Sequence, residues 1–232
     1  MVLSCSLYHV VFRKTLEELH SMLNEVDYEE PFEALGAKFS LETAISNVHW
    51  GNNREALWGT LSFETVEYRR QMDGSRIPFK SSLASDFAFF LEENVLYLGV
   101  FANRGVAENS ANKMSYVLTR KEIYTDNIVV LRYRISTNTI ERILSSHPHI
   151  KKRCGWKDLD FPGVDASSLH GVDLDRFDQT SRFDEHGQKK YIMIEFLDLR
   201  QVVFISEQGM VTFYGNETPE QILRFIREEI FL

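Results

Sequence analysis

Two short runs hold most of the side chains in this chain that could do chemistry. The first, "HPHIKKRCGWK" at 147–157, sets Lys151, Lys152, Arg153 and Lys157 beside Trp156. Ammonium and guanidinium groups neutralise phosphates, and an exposed indole offers a stacking surface, so this pattern could bind nucleic acid, although a solvated loop whose Trp156 packs back on the core is the favoured reading. The second, "HGVDLDRFDQTSRFDEHG" at 170–187, gathers carboxylates between His170 and His186. Clustered carboxylates can hold Mg²⁺ or Mn²⁺ and activate water for phosphodiester cleavage. Asp173, Asp175, Asp178, Asp184 and His186 are the candidate ligands. The run matches no calcium loop, because its Gly and terminal Glu are misplaced. His147, His149 and Cys154 add further donors, but no second Cys/His pair stands at a zinc-like spacing.

Two weaker features remain. "GVFANRG" (99–105) places two glycines at the mouth of a helix, where backbone amides can hold an anion, although a plain strand-to-helix turn is the better explanation. Arg69, Arg70 and Arg76 surround Asp73-Gly74 and make a basic hairpin tip, of the kind that also resists edge-to-edge aggregation. There is no GxSxG elbow, no GxxxxGK loop, no GxGxxG and no HExxH. The motifs therefore favour binding over catalysis, and they imply no cofactor.

The net charge of −8 bears on both runs. A uniformly acidic surface repels phosphate, so a nucleic-acid site must concentrate positive charge locally. Cys5 and Cys154 are the only cysteines, which is no disulfide framework and fits a reducing compartment. The apolar start breaks at Arg13-Lys14, too short a run for a membrane span. Asn216-Glu217-Thr218 has the form of a glycosylation sequon, but Thr218 is better placed as a helix cap. A cytoplasmic, soluble protein is the expectation.

The elements that must position these residues follow from periodicity. Val202–Ile205 and Met210–Tyr214 flank a turn with Gly209, and Thr218, Pro219 and Gln221 then form a capping box with a preset first turn. Ile222, Phe225, Ile226 and Ile230 supply one apolar stripe to that helix. The same grammar occurs earlier. Phe87–Leu91, a turn, Val95–Phe101 and a helical face of Val106, Ser110, Ala111, Met114, Val117 and Leu118 stand in the same order. Strand-then-helix segments at Tyr8–Leu23 and Asn127–Ser146 precede them at a similar spacing, and long strands at Trp58–Arg70 and Lys189–Arg200 lie between.

This predicts an α+β chain of two similar halves, 1–121 and 122–232, each a curved antiparallel sheet with helices packed on one face. The boundary falls near Lys121–Asn127. The order is similar to tandem TATA-box-binding-protein-like architecture, a resemblance of element order without shared motifs. Two variable loops are expected, at 27–57 with some helix near Leu41–Val48, and at 145–188. Fold likeness says little of function. Three readings stay open: a non-catalytic binding module serving as accessory subunit to a protein partner; a nucleic-acid-binding module using 147–157 and the sheet; and a metal-dependent hydrolase using 170–187. The oligomeric state is not encoded in any of these features.

Overall fold

The computed structural model describes residues 2–12, 15–121 and 128–231. The expected boundary at 121–127 lies outside the described residues, apart from the backbone of Lys121. In chain order the elements are β1 (Val2–Val11), α1 (Leu16–Leu23), β2 (Asp27–Ala34), β3 (Ala37–Trp50), β4 (Ala56–Arg70), β5 (Arg76–Glu92), β6 (Val95–Phe101) and α2 (Arg104–Lys121). Then follow β7 (Val129–Arg132), α3 (Thr137–Ser146), β8 (His149–Phe161), β9 (Val164–His170), α4 (Asp178–His186), β10 (Gln188–Phe196), β11 (Gln201–Ser206), β12 (Met210–Tyr214) and α5 (Pro219–Phe225). A 3-10 turn at Leu174–Arg176 precedes α4, and a π-turn at Ile226–Ile230 closes α5.

The twelve strands belong to one sheet, ordered β2-β3-β4-β5-β6-β1-β12-β11-β10-β8-β9, with β7 also paired to β1. This overturns the expected pair of sheets, each with its own helices on a face. The strand order does not repeat either. The path β2-β3-β4 follows the chain, whereas the other end runs β10-β8-β9 and leaves the later strand outermost. The duplicated, tandem arrangement is therefore not adopted. Recurring hairpin–helix grammar reflects local propensity, and strand neighbours are chosen by long-range packing that such grammar does not encode.

Contacts divide the chain into two compact units, His9–Leu131 and a second made of Met1–Tyr8 with Arg132–Leu232. In the first unit, Glu93 and Asn94 both take positive φ, the geometry of a two-residue turn that matches strand twist, and β5 returns directly as β6. Leu57, Phe87, Phe89, Leu98, Ala107, Met114 and Leu118 are buried there. The stretch 27–57, expected as a loop, is mostly the β2–β3 hairpin with Gly36 at its turn. Its alternation is masked in the sequence by Glu29 and Glu33, which an edge strand carries on exposed positions, and by the half-buried Glu30, which pairs with Lys113 and Arg120 of α2.

In the second unit, Thr218 caps α5 through a complete capping box with Gln221. Ile222 and Ile226 are fully buried, and Phe225 sits against Phe196 and Phe213. The Arg142 guanidinium donates to the carbonyls of Glu229 and Ile230, satisfying acceptors that a helix end leaves open. His147 ties the same turn to the β10–β11 connection. Its Nδ1 lies 2.7 Å from Asp198 and its Nε2 lies 3.1 Å from Glu229. Burial alone pushes the imidazole down, but the hydrogen bonds to both carboxylates outweigh it and its pKa is raised. A raised folded pKa adds stability that is complete below the unfolded value, near about 6.5, and is lost as pH rises through the folded value. His147→Gln should therefore lower the melting temperature clearly at pH near 6 and progressively less toward pH 9. A melting difference that stays constant over that range would show that the imidazole acts only by packing.

Candidate functional site

The stretch 145–188 is not a loop. It forms the end of α3, the β8–β9 hairpin, the 3-10 turn and α4. Strand β8 pairs with β10 on one side and β9 on the other, so the basic run 147–157 is an inner strand. Trp156 is fully buried and packs with Cys154, Leu159 and Leu174, with Phe161, Leu169 and Phe183 around them. An indole held there cannot stack on a base.

The acidic run folds back over this strand, and the two runs neutralise one another. Lys151 Nζ lies 2.6 Å from Asp175 and 3.8 Å from Asp184. The Trp156 Nε1–H donates to Asp184 Oδ1 at 2.7 Å. His149 Nε2 stands 3.8 Å from Asp175. Lys189, on β10 and opposite Trp156, is only 3% exposed and reaches Asp184 at 2.7 Å and Glu141 of α3 at 2.5 Å. Burial pushes the Lys189 ammonium down, yet the two carboxylates outweigh burial and hold its pKa above the usual value. A cation desolvated this far persists because each neighbouring element presents it with a carboxylate.

Most of the remaining candidates have partners as well. Lys152 pairs with Glu195 at 2.8 Å and Lys157 with Glu207 at 2.5 Å. Arg153 lies over the Tyr191 ring, 5.2 Å from its centroid, while its Nε is buried without a hydrogen-bond partner. Asp173 pairs with Arg176 at 2.7 Å, Asp178 stands in the first turn of α4, and the His186 ring rests on Phe161. An acidic first turn suits the helix dipole. Among the described residues no three His, Cys, Asp or Glu side chains converge in a way that could hold a metal ion. Burial pushes the Cys154 thiol up to about 12, which leaves almost no thiolate at neutral pH for nucleophilic attack.

Helix α4 was the element sequence reasoning missed. Its inward face is Thr180, Phe183 and Asp184, so only one apolar side chain marks it. Helical spacing of a buried carboxylate with its cations elsewhere in the chain leaves no local signal.

The largest exposed constellation lies elsewhere, in the His9–Leu131 unit. Strand β3 pairs with β4 only as far as Thr43–Phe63, and β6 pairs with β5 only as far as Asp86–Phe101. Beyond a clasp in which Lys80 Nζ meets Glu64 at 2.7 Å and the Ser40 carbonyl at 3.1 Å, the β4–β5 hairpin has no neighbouring strand. Six cross-strand pairs, Thr65–Ser81 through Arg70–Arg76, continue as a two-stranded arm. At about 3.4 Å per residue the arm is roughly 20 Å long. Its tip is set by Gly74 at φ +85° and by Asp73, which accepts from the Ser75 amide and hydroxyl. Those hydrogen bonds hold the Asp73 carboxyl below its usual pKa.

Among the described residues no helix is long and apolar enough to cross a membrane. Comparison of the sequence with protein-family models and with curated proteins finds no match.

Proposed function

We propose that the chain is a non-catalytic binding module that engages its partner through the β4–β5 arm, as an accessory component of a larger assembly. One observation carries this reading: the lysines of the basic run are all paired inside one unit, Lys151 with Asp175 of the acidic run, Lys152 with Glu195 and Lys157 with Glu207, while Asp184 of the acidic run holds Lys189. Groups that neutralise one another in the folded state position strands and helices, and they leave no open carboxylate pair for a metal and no free ammonium row for phosphates. The arm, by contrast, contributes little to any core and exposes Tyr68, Met72 and Ile77. These apolar groups stand on a paired, turn-closed hairpin that projects past the strands beside its root, which makes it available to a partner.

The hydrolase alternative gives the sharpest test. Wild-type protein and Asp175→Asn should both fail to hydrolyse bis(p-nitrophenyl) phosphate in Mg²⁺ or Mn²⁺, while the variant melts at lower temperature because Lys151 loses its carboxylate. Metal-dependent turnover in the wild type that disappears in Asp175→Asn overturns the binding reading.

A further inference from the structure

We infer that the β4–β5 arm is a duplex-DNA-binding element, its arginines gripping phosphates on both walls of the major groove. This rests on the proposal that the arm is the partner-binding element, and it names the partner's chemistry.

Cross-strand pairing sorts the arm's side chains. Paired residues share a face of a two-stranded ribbon. Tyr68 with Pro78 and Arg70 with Arg76 therefore lie on one face, and Glu67 with Phe79 and Arg69 with Ile77 lie on the other. Arg69 reaches over the Phe79 ring, 5.4 Å from its centroid, as that register requires. Arg69, Arg70 and Arg76 are exposed and make no ion pair among the described residues. Asp73 at the tip accepts from the Ser75 amide and hydroxyl and stays ionised, so it offsets part of the arginines' charge without pairing with any of them. Glu67 is the arm's other acid outside the root clasp.

Cations on both faces distinguish the partner. A flat acidic protein surface meets only one face of a ribbon, whereas a hairpin that enters a groove tip first turns one face to each charged wall. The major groove of B-form DNA, about 12 Å wide, admits a two-stranded ribbon, and the narrow major groove of A-form RNA does not. The fully exposed Met72 at the tip then faces the groove floor, where an apolar group contacts thymine methyls. With a net charge of −8, a polyanion needs a local concentration of cations to approach, and the arm offers one. The sequence marks Arg69, Arg70 and Arg76 as a basic hairpin tip, and the strand register adds that they divide between the two faces.

The test is binding of the full chain to a random-sequence duplex of about 20 base pairs, followed by fluorescence anisotropy across salt. Three phosphate contacts give a slope of log K against log salt of about −2.7, so raising salt from about 50 to about 200 mM weakens binding roughly fortyfold. The triple substitution Arg69→Ala, Arg70→Ala, Arg76→Ala should remove most of that slope and leave the melting temperature unchanged, because all three side chains are exposed. The corresponding triple Lys variant should keep the slope, since it keeps the charge. Equal affinity and slope in wild type and the Ala variant overturn the inference while leaving binding through another surface. Absence of duplex binding at low salt also overturns it. Light scattering then decides the underlying reading: arm-dependent self-association or arm-dependent binding of an acidic polypeptide such as polyglutamate sustains an arm that binds something else, and neither of these defeats both.

Discussion

Lys189→Ala lowers the stability of the unit containing residues 132–232 by about 3 kcal/mol, measured by urea unfolding at neutral pH. The substitution removes the cation to which Asp184 and Glu141 are both hydrogen-bonded, in a position only 3% exposed. Asp184 keeps Lys151 at 3.8 Å and the Trp156 indole, and it retains some access to water, so the loss falls at the low end of the range for broken buried pairs. The charge, rather than the packing, is the cause. Lys189→Met, which preserves most of the volume, should therefore remain destabilised by a similar amount. Adding Asp184→Asn to Lys189→Met should recover part of it by removing the stranded carboxylate. If Lys189→Met is as stable as the wild type, the ammonium is not holding α3 and α4 to the sheet.

Phe225→Ala is expected to cost about 3–5 kcal/mol in the same unit, through lost transfer energy and the cavity left behind. The ring meets Phe213 edge-on at 5.1 Å between centroids and Phe196 at 5.8 Å, and the helix carrying it has Ile222 and Ile226 fully buried beside it. Phe225→Leu should cost less than half as much, because it leaves the smaller void. A change below about 1 kcal/mol for the Ala variant would show that the aromatic cluster closes over the gap.

What could be seen in the sequence divides along a physical line. The β11–β12 hairpin and the capped α5 were legible because each is specified locally, by a turn glycine, by Thr218 with Gln221, and by an apolar stripe at helical spacing. The β5–β6 hairpin was legible for the same reason, with Glu92-Glu93-Asn94 between apolar runs. Sheet membership was not, because which strand becomes the neighbour of β10 depends on contacts far along the chain. The basic run 147–157 was recognised as cationic, but its exposure was misjudged. Nine of its positions, 149–157, lie in the doubly paired strand β8, and the carboxylates that pair with its lysines are Asp175, Asp184, Glu195 and Glu207. Charge on one segment says nothing of the charge folded against it. The arm was glimpsed only as a basic tip. Its length was invisible, because the sequence does not show where β3 and β6 stop pairing.

The first strand carries a consequence for how the molecule is made. Residues Val2–Ser6 pair with Tyr214–Met210, and the Ser4 hydroxyl meets that of Thr212 across 208 positions of sequence. A ribosome delivers the second partner only after the 208 positions that separate Ser4 from Thr212 have been made. Throughout that interval the intervening 9–131 segment can assemble its own ladders, whose partners are all already synthesised. The leading residues must wait, with their backbone donors and acceptors turned to solvent or to a temporary companion. Completion of the ladder is thus a late event, timed by translation rather than by the intrinsic speed of strand pairing.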